Sequence, residues 1–392
     1  MFAVLSTLQK PFTKFVAVLS LLWLAACQPI SLADVNSGNI NAGETVRVAL
    51  LLPRGSEIEG DSIVSDSLEN AARLAVGDLQ GVELDLRVYS TAGDAMRAAT
   101  AAKQAVADGA QIILGPLRAE SANAAAVAVA PDGVNVLAFS NNATVAGGNL
   151  FLLGSTFNNT ADRLTAYAKK TGKDRILIVH DEEIGGQLGK AAISQAIARN
   201  GATLAGTVVY ERSQQGVISA VQRIKAAQAA GQANAVFLTS TSDAALPFYA
   251  QMLPDVGISN ATTQFIGLSR WDIPAQTLQL PGLEGGWFAR PDPAKSAEFA
   301  ARYAAANGAQ PHSLAALAYD GIAAVGALAS TGKRDALSRA SITQSAGFQG
   351  SNGIFRFRAD GTNERGLAIA QIQDKKVVII DAAPRAFGGA GF

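Results

Sequence analysis

Apolar and polar positions alternate along most of this chain in two periods, one suited to strands and one to helices. Residues 46–52 (VRVALLL) form a nearly continuous apolar run that stops at Pro53, the pattern of a strand buried on both faces. Residues 61–80 then place Ile63, Leu68, Ala71, Ala72, Ala75, Val76 and Leu79 at helical spacing. The alternation continues with a strand at 84–89, a helix at 92–108, a strand at 112–114 ending at Gly115-Pro116, a helix at 119–130 and a strand at 134–139. A second series opens with RILIVH at 175–180. It runs through a helix at 186–200, a strand at 203–210, a helix at 215–230, a strand at 235–239, a helix at 244–252 and a strand at 263–268. Such βα alternation predicts doubly wound parallel sheets with helices on both faces, and two series predict two lobes.

The C-terminal part does not read as a third domain. It predicts a strand at 285–290, helices at 294–306 and 313–329, and short strands at 354–358, 367–373 and 376–380, with turns at Asp360-Gly361 and Asp374-Lys375. A helical pair followed by an antiparallel tail completes the two lobes. The expected division is a first lobe at 44–155 completed by 291–345, and a second at 156–290 completed by 346–384. A chain that crosses more than once between lobes makes a hinge of several strands. Residues 385–392 are expected to be a loose tail.

Before residue 44 the pattern changes. Lys10 and Lys14 precede an uncharged apolar run, FVAVLSLLWL, at 15–24. A run of about ten residues is too short to span roughly 30 Å of hydrocarbon, so it reads as a signal-peptide core. Leu24-Ala25-Ala26-Cys27 resembles the lipobox of bacterial lipoproteins. That resemblance implies a signal peptide at 1–26, cleavage before Cys27, a diacylglycerol on its sulfur and an acylated N-terminus. Cys27 is the sole cysteine and cannot close an internal disulfide. Gln28, where an aspartate often marks inner-membrane retention in such lipoproteins, implies the outer membrane. Residues 27–43 are polar and Gly/Asn-rich toward their end and read as a flexible tether.

Charge narrows the function classes. The 32 basic and 32 acidic residues cancel without a basic block, which argues against nucleic acid as a partner. Only two histidines, His180 and His312, accompany Cys27, so no metal-ligand cluster is expected. Residues 185–190 look superficially like a phosphate loop, but Ala191 replaces the hydroxyl residue and the glycine spacing is wrong. No Gly-x-Ser-x-Gly elbow occurs. The reading is non-enzymatic, with no cofactor and no metal.

The strand at 46–53, the segment Ile112-Ile113-Leu114-Gly115-Pro116-Leu117, the stretch 136–144 (VLAFSNNAT) and the helix Ala315-Ala316-Leu317-Ala318-Tyr319-Asp320-Gly321 together resemble the type I periplasmic binding proteins, nearest the leucine-binding group. The resemblance covers about 44–383 and implies two Rossmann-like lobes joined by three crossovers, with ligand in the cleft between them. A narrower resemblance rests on 267–272 (GLSRWD), 283–289 (LEGGWFA) and 353–361 (GIFRFRADG). These segments look like the penicillin-binding-protein activator lipoproteins and imply a peptidoglycan synthase as partner. The alternative is a solute receptor of an ABC transporter, taking an amino acid or related polar ligand such as a muropeptide.

In open α/β lobes ligands bind beyond the carboxyl ends of strands. The loops placed there include 115–121, 140–144, 180–187 and 268–272, and the expected cleft residues are Arg118, Ser140, Asn141, Ala143, Thr144, Asp181, Ser269, Arg270, Trp271 and Asp272. In the resembled family the Ser-x-x-Ala-Thr loop holds a ligand carboxylate, and Ala143 and Thr144 match it. Arg118 stands where that family has a small hydroxyl residue. Near Ser269 the family offers an acid to the ligand ammonium. Asp272 could replace it, although Arg270 adds a charge of the wrong sign. Trp271 either stacks on a ligand ring or covers the lobe edge, and Trp287 reads as core or hinge packing.

A Cys27→Ser substitution is expected to move the protein from the membrane fraction to the soluble one. Metabolic labelling with a tritiated fatty acid checks it, and label retained on the variant would refute the anchor.

Overall fold

The computed structural model describes residues 39–40 and 43–388. The expected signal peptide, Cys27, most of the tether and residues 389–392 lie outside them.

The first lobe is built as β1 (Val46–Leu52), α1 (Asp61–Asp78), β2 (Leu84–Ser90), α2 (Ala95–Ala107), β3 (Ile112–Leu114), α3 (Ala119–Val129), β4 (Asn135–Ala138) and β5 (Leu150–Leu152). Its five strands pair in parallel in the order β2-β1-β3-β4-β5. Period-two alternation sends neighbouring residues to opposite faces. Val48, Leu50 and Leu52 enter a core with Leu68 and Ala72 of α1 and the aromatic residues Phe139 and Phe151. Ala49, Leu51 and Ile113 face a core made mostly of alanine, including Ala98, Ala102 and Ala105 of α2 and Ala122, Ala125 and Ala126 of α3.

The second lobe continues with α4 (Phe157–Lys170), β6 (Arg175–Asp181), α5 (Ile184–Arg199), β7 (Thr203–Tyr210), α6 (Gln214–Gly231), β8 (Ala235–Leu238), α7 (Leu246–Asp255), β9 (Gln264–Gly267) and β10 (Trp287–Arg290). The chain returns to the first lobe as α8 (Pro293–Asn307), α9 (Ala315–Ala329), α10 (Arg339–Ile342), β11 (Phe348–Gly350), β12 (Gly353–Phe357) and β13 (Asn363–Arg365). It ends in the second lobe as β14 (Ala368–Gln373) and β15 (Lys376–Asp381). The second sheet has the order β15-β14-β10-β9-β8-β6-β7, parallel except for β14 and β15. The fold is α/β with two parallel-sheet lobes and three crossings between them.

Three features differ from expectation. Residues 348–365 form a separate antiparallel sheet, and its Phe348, Phe355 and Phe357 sit in the first lobe's core, so only 368–381 complete the second sheet. A hairpin's alternation shows that one face is buried, not which lobe buries it. The end of the expected tether is docked, with Ile40 buried in the first core and its N–H donating to the Arg334 carbonyl at 2.7 Å. In the expected tail, Phe387 lies under the Arg356 guanidinium, 4.5 Å from ring centroid to carbon.

The chain crosses between the lobes at 153–156, 291–292 and 366–367, and side chains tie down the first and third of these crossings. Asn363 donates to the carbonyls of Leu152 and Gly154, both at 2.8 Å. Arg365 donates through Nε to the Leu153 carbonyl at 3.1 Å and through Nη1 to Asp320 Oδ2 at 3.1 Å. Asp320 is fully buried, and its Oδ1 accepts from the Ser351 backbone at 2.6 Å and hydroxyl at 2.8 Å. Burial pushes the Asp320 carboxyl above its ordinary value, and the Arg365 guanidinium opposes that rise. On the other side Arg163 of α4 donates to the Leu367 carbonyl at 2.7 Å.

Arg365→Met leaves the Asp320 carboxylate buried without its counter-ion and is expected to cost about 3–5 kcal/mol. Urea unfolding measures it. The double variant Asp320→Leu/Arg365→Met should recover part of the loss, and a double variant no more stable than the single one would show that the pair is not the source.

Candidate functional site

A cavity of about 420 Å³ opens between the carboxyl ends of the two sheets. Its first-lobe wall is Leu117 beyond β3, Phe139, Ser140 and Asn141 beyond β4, and Ser313, Leu314 and Leu317 at the start of α9. Its second-lobe wall is Arg270 and Ile273 beyond β9 and Ala289 and Arg290 of β10. The floor is made by the crossings themselves, through Gly154, Ser155, Pro291, Arg365 and Leu367, with Asn352 and Thr160 beside them.

Of the expected site residues, Ser140, Asn141 and Arg270 line this cavity together, and Asp272, outside the lining, holds Arg270 and Arg290. Ser140 is buried, and its hydroxyl accepts from the Asn142 backbone at 3.2 Å. Ala143 and Thr144 lie in a single 3-10 turn outside the lining, where Thr144 donates through backbone and hydroxyl to Asn142 Oδ1 at 3.0 and 2.8 Å. Asp181 accepts from the Glu183 backbone at 3.0 Å, and Ser269 reaches only the Ser240 carbonyl at 3.5 Å; neither lines the cavity. His180 is buried and bonds through Nδ1 to the Asp181 carbonyl at 2.7 Å.

Arg118 does not line this cavity. It caps a different corner by donating to both carboxylate oxygens of Asp61 at 2.8 and 3.0 Å, at the start of α1. The guanidinium hydrogen bond holds the Asp61 carboxyl below its ordinary value of 3.8, against the upward push of burial.

Trp271 stacks on no ligand, for it is fully buried in the second lobe's core, 6.5 Å from the Phe288 ring centroid. Gly267 and Gly286 make room for it: a Cβ on either would fall 2.3 or 2.5 Å from the indole. Trp287 is also buried, edge-on to Tyr167 at 5.0 Å.

The charged core of the cleft was only partly anticipated. Asp272 accepts from Arg270 Nε at 2.9 Å and Nη2 at 2.6 Å, and pairs with Arg290 Nη1 at 3.2 Å. One nearly buried carboxylate therefore serves two guanidiniums. Arg290 Nε is buried and has no hydrogen-bond partner. Burial pulls Arg290 below the arginine norm, Asp272 opposes this, and the neighbouring Arg270 adds to it. Arg290 and Arg365 both sit at strand ends next to crossings, places that the alternation of strands and helices does not mark. No cluster of three or more metal-ligating side chains occurs among the described residues.

Comparison with known families places the chain. Residues 45–376 match the family model described as periplasmic binding protein. The chain belongs to that family. No curated protein sequence matches it. Solved structures match in fold. One is a putative branched-chain amino acid ABC transporter protein from Rhodospirillum rubrum, with a TM-score of 0.72 and 18% identity, over 86% of this chain and 100% of that one. Another is an ABC transporter substrate-binding protein from Desulfitobacterium hafniense in complex with Leu, with a TM-score of 0.63, 18% identity and coverage of 86% and 100%. A third is a solute-binding protein from Rhodopseudomonas palustris in complex with 3,4-dihydroxybenzoic acid, with a TM-score of 0.58, 18% identity and coverage of 87% and 98%. As in these folds, this periplasmic binding protein has α/β lobes built on parallel sheets. Family membership implies a periplasmic or envelope location, and no helix among the described residues is long and apolar enough to cross a membrane.

Arg118→Ala strips a largely buried carboxylate of its partner and is expected to cost about 1–3 kcal/mol at neutral pH. Because the folded-state value of Asp61 is depressed, this stabilisation is present above the ordinary value of 3.8 and is lost as pH falls through the depressed one. Wild type and variant should therefore differ in chemical-denaturation midpoint at pH 6 and converge only as pH falls below 3.8 and through the depressed value. A difference that is unchanged at low pH would mean the loss is packing alone.

Proposed function

We propose that this periplasmic binding protein is the solute receptor of an ABC-type importer, held at the envelope by lipid on Cys27. The observation that carries the reading is the cavity of about 420 Å³, lined from both lobes and floored by all three crossings. A solute held there touches both walls at once, so it binds the closed arrangement of the lobes better than an open one and draws them together. The size suits a solute of amino-acid or small organic-acid dimensions, and ordinary small-molecule sites begin at about 300 Å³.

The matched structures support this reading over docking to a peptidoglycan synthase, since they belong to ABC transporters. The segments that resemble penicillin-binding-protein activators also have structural work here. Trp271 fills a core, and Phe355 and Phe357 anchor the 348–365 sheet. No chemical step is proposed for the cleft, whose polar groups are positioned to hold a ligand.

Thermal-shift screening of the full chain in detergent, against amino acids, organic acids and muropeptides, tests the proposal. A true ligand at a hundred times its Kd should add about 2.7 kcal/mol of stability. If no solute raises the melting temperature while a solubilised bifunctional synthase is captured, the receptor reading fails.

A further inference from the structure

We infer that the cleft selects a monocarboxylate without an ammonium group, an organic acid with an apolar body whose carboxylate is held by Arg290 and Arg270. This rests on the reading that the cavity binds a solute.

Charge makes the first part of the case. Three guanidiniums line the cavity, those of Arg270, Arg290 and Arg365. The carboxylates that meet them are two, and both are already committed. Asp320 takes Arg365 and Ser351, and Asp272 takes Arg270 and Arg290. No aspartate or glutamate is among the lining residues, so one positive charge faces the cavity uncompensated. A zwitterionic amino acid would bring its ammonium into a desolvated site that offers no anion and already carries excess positive charge. A carboxylate alone would neutralise the excess.

Unused donors make the second part. Arg290 has a single ion pair, at 3.2 Å, and its Nε is buried without a partner. A guanidinium with so few of its donors used, and about a fifth of its side chain still exposed, is suited to a charge-assisted hydrogen bond to a carboxylate in the cavity. Burial disfavours the charge of Arg290, with Arg270 adding to the effect, and an anion in the cavity would offset both.

The distribution of the lining makes the third. Leu117, Phe139, Leu314 and Leu317 make the larger part of the first-lobe wall apolar, beside the uncharged Ser140, Asn141 and Ser313, while the guanidiniums of Arg270 and Arg290 come from the second lobe. A ligand satisfying both walls is amphipathic, charged at one end and apolar along its body. Lobe closure then brings the apolar wall onto a carboxylate already paired with the arginines.

Isothermal titration of the full chain in detergent, with four probes of one shape, is decisive. The probes are 4-methylpentanoate, its amide 4-methylpentanamide, L-leucine and 3-methylbutylamine. The acid is expected to bind at least about tenfold more tightly than leucine or the amide, and the amine not at all. Arg290→Gln should weaken the acid by about 30-fold or more. If leucine or the neutral amide matches the acid, the anion inference falls while solute binding stands. If none of the four binds, the inference falls, and the receptor reading falls with it only if the wider solute screen is also blank. Unchanged affinity for the acid in a folded Arg290→Gln protein would overturn the role of Arg290. Should that variant not fold, the ranking of the four probes on the wild-type chain decides alone.

Discussion

A buried aspartate and a buried arginine meet where the chain passes between its lobes, and the cleft depends on their staying paired. Asp320 comes from α9 and Arg365 from the end of β13, so the pair joins two returning segments of the first lobe. Arg365 also donates to the Leu153 carbonyl at the first crossing, and Asn363 spans the same crossing at Leu152 and Gly154. An ion pair in so dry a place gains little over an apolar replacement of similar shape, yet losing one partner is costly. Its value here is positional. It fixes where the first and third crossings run relative to each other, and those crossings are the floor of the cavity.

The same arginine faces two ways. Its guanidinium lies over the Phe355 ring at 5.1 Å and is held by Asp320, while it also contributes to the cavity lining. Arg290 ends the strand that leads into the second crossing, and Arg270 is bound to the same aspartate. Hinge and binding surface are therefore built from shared residues. A solute in contact with the floor touches the parts that set the angle between the lobes, and differential contact of this kind is what lets a ligand shift a conformational equilibrium.

Much of the fold was legible because buried parallel strands are short apolar runs with abrupt ends, as at Leu52-Pro53 and Leu114-Gly115. What escaped had a physical reason. Strands β5, β11 and β13 have three residues each, too few to show a period. Helix α4 begins with Phe-Asn-Asn-Thr and buries a narrow stripe at Asn159, Ala161, Leu164, Thr165 and Ala168, so its polarity hid its helicity. In the site, Ser140, Asn141 and Arg270 were readable as residues just past strand ends. Arg290 and Arg365 were not, because they precede crossings between lobes and not helices of their own lobe. Trp271 misled because charged neighbours on both sides suggested exposure. The better signal lay at Gly267 and Gly286, which leave a space only a large ring would fill.

The unequal faces of the first lobe's sheet bear on how this sequence can drift. One face is packed with large side chains such as Phe139, Phe151, Phe355 and Phe357, the other with a seam of alanines from α2 and α3. On the aromatic side an inherited change is mostly a loss of volume, which leaves a hole that neighbours can partly fill. On the alanine side every change but glycine adds atoms where helices already touch, and the strain has nowhere to go. The seam between α2 and α3 is thus closed to enlargement, while the positions of Phe139, Phe151, Phe355 and Phe357 are closed to truncation, and the two faces of one sheet hold the sequence in place from opposite directions.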